Sequence, residues 1–153
     1  MTISQSRPKP DILIRDDQGY PLAVVEIDNM QDLTRDEARE LRHNLIDYGI
    51  PSRVPYFLIL SQDVGFLWKE SKPENLDTPP DYEFPMNNVM SRYWKRNPKE
   101  RLYGVVFEYI VLQWLTDLAE KPQQETEEPE TTLALTGLIE SIRGATVLAE
   151  EEL

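Results

Sequence analysis

Residues 11–28 read DILIRDDQGYPLAVVEID, and this stretch limits the fold more than any other part of the chain. Two short apolar runs, Ile12-Leu13-Ile14 and Leu22-Ala23-Val24-Val25, flank the polar break Asp16-Asp17-Gln18-Gly19. Branched apolar residues around a glycine-containing break of this length predict a β-hairpin. Asp11, Glu26 and Asp28 stand where a strand favours apolar residues. Side chains alternate faces along a strand, so Glu26 and Asp28 share a face with Val24. Two registers bring the carboxylates together. Pairing Arg15 with Tyr20 sets Asp11 diagonal to Glu26, and pairing Asp16 with Pro21 sets the two directly opposite. Like charges that close repel, which favours a bound cation between them. The alternative is a hairpin whose solvent face is acidic.

The sequence after the hairpin reads as a crossover unit. Thr34-Arg35-Asp36-Glu37 has the pattern of a capping box, so a helix starts here and stops at Gly49 and Pro51. Ala38, Leu41, Leu45 and Tyr48 are its expected buried stripe. Arg35, Arg39 and Arg42 fall on an adjacent face, either as phosphate contacts or as a solvated face balanced by neighbouring acids. The run VPYFLIL, Val54 to Leu60, has the nearly continuous apolar character of a strand buried on both faces, with Pro55 delaying its ladder. A helix between two strands is the usual link between parallel neighbours.

Farther along, Phe66 to Lys69 is a returning strand and Glu70 to Pro85 an irregular surface loop. Met86 to Arg96 and Lys99 to Ala119 are expected helices. The second is apolar around more than half its circumference, so it is either central to the fold or one half of a homodimer interface. Lys121 to Thr131 reads as a flexible acidic linker, Thr132 to Arg143 as a short helix and Ala145 to Leu148 as a small strand. The expected organisation is an α/β domain over 1–119, an acidic linker over 120–131, and a short helix with an acidic tail over 132–153.

Composition removes several chemistries. The 153 residues contain no cysteine and one histidine, His43, leaving little material for thiolate sites, histidine zinc sites or Ser-His catalysis. The sequence shows neither an apolar leader nor a membrane-spanning run, and a cytoplasmic location is expected. The net charge of −12 disfavours DNA as a partner. Arg92, Lys95, Arg96, Lys99 and Arg101, interleaved with Tyr93 and Trp94, form the one basic cluster. It suits single-stranded nucleic acid, although Tyr93 and Trp94 also sit at core spacing with Val89 and Met90.

Pro10-Asp11, the fifteen-residue step to Glu26, and Val25-Glu26-Ile27-Asp28-Asn29 at the end of the second strand resemble the Pro-Asp and Glu-x-Lys elements of PD-(D/E)XK nucleases. The resemblance covers roughly residues 8–60. It implies a restriction-endonuclease-like mixed sheet with flanking helices. It also implies Mg²⁺ held by Asp11, Glu26 and the Ile27 carbonyl, for metal-dependent phosphodiester hydrolysis. In the family a lysine orients or activates the attacking water; Asp28 occupies that position here. The family core also begins with a helix and a strand for which ten residues leave no room. The helix over 99–119 is a candidate substitute, its acid Glu108 then pointing at the site. The expectation is a degenerate nuclease-like domain serving as a protein-interaction or regulatory module. The alternative is an active Mg²⁺-dependent endodeoxyribonuclease. A homodimer through 99–119 is compatible with either.

Overall fold

The computed structural model describes residues 8–94, 101–121 and 126–153. The chain forms an α/β fold around a six-stranded mixed sheet in the order β5-β4-β3-β2-β1-β6. The strands are β1 (Ile12–Arg15), β2 (Pro21–Ile27), β3 (Val54–Leu60), β4 (Val64–Ser71), β5 (Tyr82–Pro85) and β6 (Thr146–Ala149). Among the described strands only β2 and β3 run parallel, and helix α1 (Arg35–Tyr48) connects them. Helices α2 (Asn87–Tyr93), α3 (Gly104–Glu120), α4 (Glu130–Thr136) and α5 (Leu138–Ser141) complete the fold. None of the described helices is long and apolar enough to cross a membrane.

Both sheet faces are covered, which is why the central strands read as apolar runs. Ile12, Ile14, Ala23, Val25, Leu58 and Leu60 pack with residues of α2 to α5. The alternate residues Leu13, Val24, Phe57, Ile59, Phe66 and Trp68 pack with α1. The expected capping box forms: the Glu37 amide donates to Thr34 Oγ1 at 3.1 Å, and the Thr34 amide donates to Glu37 Oε1 at 3.0 Å. Gly49, at φ 124°, ends the helix. Pro55 has its expected effect, since the β2–β3 register begins at Ala23 and Tyr56.

The buried stripe of α1 differs from expectation. Tyr48 is 76% exposed, whereas Arg42 is fully buried. Its guanidinium lies 5.4 Å from the Phe57 ring centroid and 5.1 Å from that of Trp68. It donates to the Asn75 and Leu76 carbonyls and to Ser71 Oγ. A charge can be buried this way because aromatic faces and carbonyl oxygens replace its water.

Three further differences have local causes. The expected loop over 70–85 contains edge strand β5. Its Phe84 pairs with Gly65, and a Cβ on Gly65 would lie 2.1 Å from Phe84 Cε2. The missing side chain makes room for that ring, so this short strand depends on a glycine across the ladder. The helix expected over 132–143 is divided into α4 and α5 by Gly137 at φ 88°. The helix expected from Lys99 begins at Gly104 instead. Leu102 is held in a non-helical lead-in by Gln62, whose Oε1 accepts from the Leu102 amide and whose Nε2 donates to the Leu102 carbonyl, both at 3.0 Å. Residues 99 and 100, like 95 and 96 of the earlier expected helix, lie outside the described residues.

The C-terminal section joins the same sheet. β6 pairs antiparallel with β1, and α3 packs beside it. Glu130, from the stretch expected to be a flexible acidic linker, is 2% exposed. It accepts from Trp114 Nε1 and from Arg92 Nη2, each at 2.9 Å. Residues 122–125 of that stretch lie outside the described residues.

Candidate carboxylate site

The hairpin adopts the register that makes its acids meet. Ile12 pairs with Val25, and one further step along the ladder sets Asp11 opposite Glu26. An irregularity between Ile14 and Arg15 absorbs the mismatch at the turn. The turn is closed by Asp16 Oδ1, which accepts from the Gln18 and Tyr20 amides at 2.9 and 2.8 Å. Gly19 takes φ 85°, a conformation that glycine adopts without steric cost.

Asp11 is tied at both ends. Its Oδ2 accepts from the Ile27 amide at 2.7 Å, and its backbone carbonyl accepts from the Glu150 amide at 3.0 Å. Glu26 is 6% exposed, and its Oε1 is buried with no hydrogen-bond partner. Burial pushes the Glu26 carboxyl up to about 9; the Asp11 charge and a hydrogen bond to the Asp11 side chain add to the rise, against a smaller opposing effect of the Asp11 backbone amide. Glu26 is therefore neutral at pH 7, a proton standing where two anions would repel.

Glu108 of α3 joins this neighbourhood. Its pKa is raised by partial burial first, then by the charges of Asp11, Glu151 and Glu150. Sequence reasoning reached Glu108 as the mid-helix acid of α3. It missed Glu150 and Glu151, because only the pairing of β6 with β1 brings the C-terminal turn to the hairpin.

Asp28 is not directed into the pair. Its Oδ1 accepts from the Met30 amide at 2.7 Å and its own amide donates to the Leu60 carbonyl, so it shapes the turn out of β2. Beyond it, Arg101 donates to the Asn29 carbonyl at 2.9 Å and to Asp63 Oδ2 at 3.1 Å. Gln62 and Asn29 are hydrogen-bonded to each other beside it.

The α1 arginines are engaged elsewhere. Arg35 donates to the Pro80 carbonyl at 2.7 Å and Arg39 pairs with Asp36 at 3.0 Å, while Arg42 is buried as described. Their contacts lie along α1, in the 71–80 segment and, for Arg42, on Phe57 and Trp68, rather than with Asp11 or Glu26. In the basic cluster, Arg92 pairs with Glu130 and Arg101 with Asp63, and the Tyr93 hydroxyl donates to Asp117 Oδ2 at 2.6 Å. Lys95, Arg96 and Lys99 lie outside the described residues.

The donor set allows the implied Mg²⁺ to be weighed. Carboxylates and a strand carbonyl are hard oxygen donors of the right kind. Here, however, Oδ2 of Asp11 already accepts from an amide, and Glu26 holds a proton that a metal must displace. Among the described residues, no group of three His, Cys, Asp or Glu side chains is placed to hold a metal ion. A divalent ion at this pair therefore has to displace the Glu26 proton and compete with the Ile27 amide for Asp11.

Compared with family models, with curated proteins and with solved structures, the chain matches none.

Proposed function

We propose that the chain is a PD-(D/E)XK-like domain that keeps the architecture of the nuclease core without its hydrolytic chemistry, and that it acts as a protein-interaction module. The architectural part is supported by the hairpin β1–β2, the crossover α1 and the parallel strand β3, with Asp11 across from Glu26. The loss of chemistry is supported above all by one observation. Glu26 is buried beside Asp11 with Oε1 unpartnered and its carboxyl pushed up to about 9, while Asp28, in the position of the motif lysine, accepts from a backbone amide. Hydrolysis of a phosphodiester needs a charged metal clamp and an oriented water. A proton shared by two carboxyls supplies neither. The net charge of −12 also opposes approach of a polyanion.

Plasmid DNA incubated with the protein and Mg²⁺ or Mn²⁺ tests this reading. Supercoiled DNA is expected to persist as it does with an Asp11→Ala/Glu26→Ala control. Metal-dependent nicking that the control lacks overturns the reading and makes the domain a working endonuclease.

A further inference from the structure

The end of the sheet that carries Asp11 gathers acids from three parts of the chain. Asp11 comes from the lead into β1, Glu108 from α3, and Glu150 and Glu151 from the turn after β6. The Glu150 amide bonded to the Asp11 carbonyl holds that turn against the hairpin. Across the ladder from Asp11 and within the field of Glu150, Glu26 has a buried, unpartnered Oε1, an acceptor that lacks a donor. A cation seated at Asp11 would give this oxygen the favourable charge it lacks. Lys9 is at the far end of the same turn, where its ammonium donates to the Leu153 carbonyl.

Apolar surface adjoins these acids. Val105 and Tyr109 of α3 are 76% and 68% exposed. At 100° per residue, Val105 sits angularly between Glu108 and Tyr109, so carboxylate and apolar surface share one side of the helix. Exposed apolar surface bordered by charge is a common form of docking site. A second copy of this chain is a poor occupant, because it would bring further acids towards Asp11, Glu108, Glu150 and Glu151.

We propose that this end of the sheet receives a basic amphipathic segment of a partner protein. Its lysine or arginine side chains meet Asp11, Glu108, Glu150 and Glu151, and its apolar side chains lie on Val105 and Tyr109. The proposal rests on the interaction-module reading above and names the chemistry of the partner. Charge complementarity sets orientation and encounter rate, and the apolar strip holds the bound segment.

The full chain is titrated against a dye-labelled synthetic peptide with leucine and lysine at amphipathic helical spacing, read by fluorescence anisotropy. A peptide with glutamate in place of lysine serves as control. Binding of the basic peptide alone is expected. Glu108→Gln/Glu151→Gln should weaken it about tenfold, because two cross-interface charge contacts are lost. The charge-matched pair Asp17→Asn/Glu140→Gln, at exposed positions in the hairpin turn and on α5, should change it less than about twofold. Val105→Ser/Tyr109→Ser should weaken binding even in high salt, where attraction between exposed charges is screened. Equal losses in the two charge pairs would mean only the general acidic field and overturn the proposal, as would no binding. Light scattering that shows a dimer dissolved by Val105→Ser/Tyr109→Ser would also overturn it, since a second copy would then occupy the face. These failures leave the plasmid result unchanged, whereas metal-dependent nicking overturns the underlying reading itself.

Discussion

The Ile27 amide donates to Oδ2 of Asp11 across 2.7 Å, fixing the acid at the start of β1 against the end of β2. This bond holds Asp11 beside Glu26 and makes their repulsion a permanent feature of the folded chain. A proton on Glu26 relieves it. The consequence is a pH dependence that belongs to the pair.

Glu26 moves from an ordinary 4.5 to about 9 on folding, through burial first and Asp11 second. Between those values the folded chain holds a proton that the unfolded chain has released. Its contribution is fully present below the unfolded value and is lost as pH rises to the folded one. Glu26→Gln is neutral throughout and removes this slope. Urea unfolding should give nearly equal stabilities at about pH 5 and a gain of roughly 1–3 kcal/mol for the variant at about pH 8. A constant difference between the two proteins across that range contradicts the assignment.

Arg42 should matter through stability. Burial lowers its guanidinium to about 10, with Asp81 and Asp77 opposing the shift, so it remains charged at neutral pH. Arg42→Ala removes the guanidinium donor to the Leu76 carbonyl and Ser71 Oγ, leaves the Asn75 carbonyl only its bonds from Thr78, and empties the space beside Phe57 and Trp68. The expected loss is about 3–5 kcal/mol, with Arg42→Lys costing about 1–3 kcal/mol because an ammonium lacks the planar fork. Denaturant melts check both, and a loss in the alanine variant smaller than that in the lysine variant contradicts the account.

Glu130 anchors the C-terminal helices to the larger core through Trp114 and Arg92. Glu130→Ala removes both acceptors and should cost about 3–5 kcal/mol, whereas Glu130→Gln retains one carbonyl oxygen and should cost about 1–2 kcal/mol. Chemical denaturation followed by far-UV circular dichroism ranks the two. Near-wild-type stability of the alanine variant would place Glu130 outside the cooperative core.

The readable parts of this chain were those with a local physical signal. The hairpin, the capping box at Thr34, the doubly buried β3 and the small strand at the C-terminus follow from patterns within a few residues. The unreadable parts depend on partners distant in sequence. Arg42 looks like a surface arginine until Phe57, Trp68, the Ser71 hydroxyl and the Asn75 and Leu76 carbonyls surround it. Glu130 looks like a linker residue until Trp114 and Arg92 reach it, and β5 depends on Gly65 leaving room for Phe84. The carboxylate pair divides the same way. Asp11 and Glu26 were legible from alternation within one hairpin, with two registers to choose between. Glu150 and Glu151 were not, because β6 reaches β1 from the far end of the sequence.

On the proposed reading, Asp11 and Glu26 hold a proton rather than a catalytic metal. Calorimetric titration of the full chain with Mg²⁺, and then Mn²⁺, at neutral pH tests it most directly. No saturable heat distinguishable from that of Asp11→Asn/Glu26→Gln is expected. Saturable binding by the wild type that disappears in this double variant would contradict it.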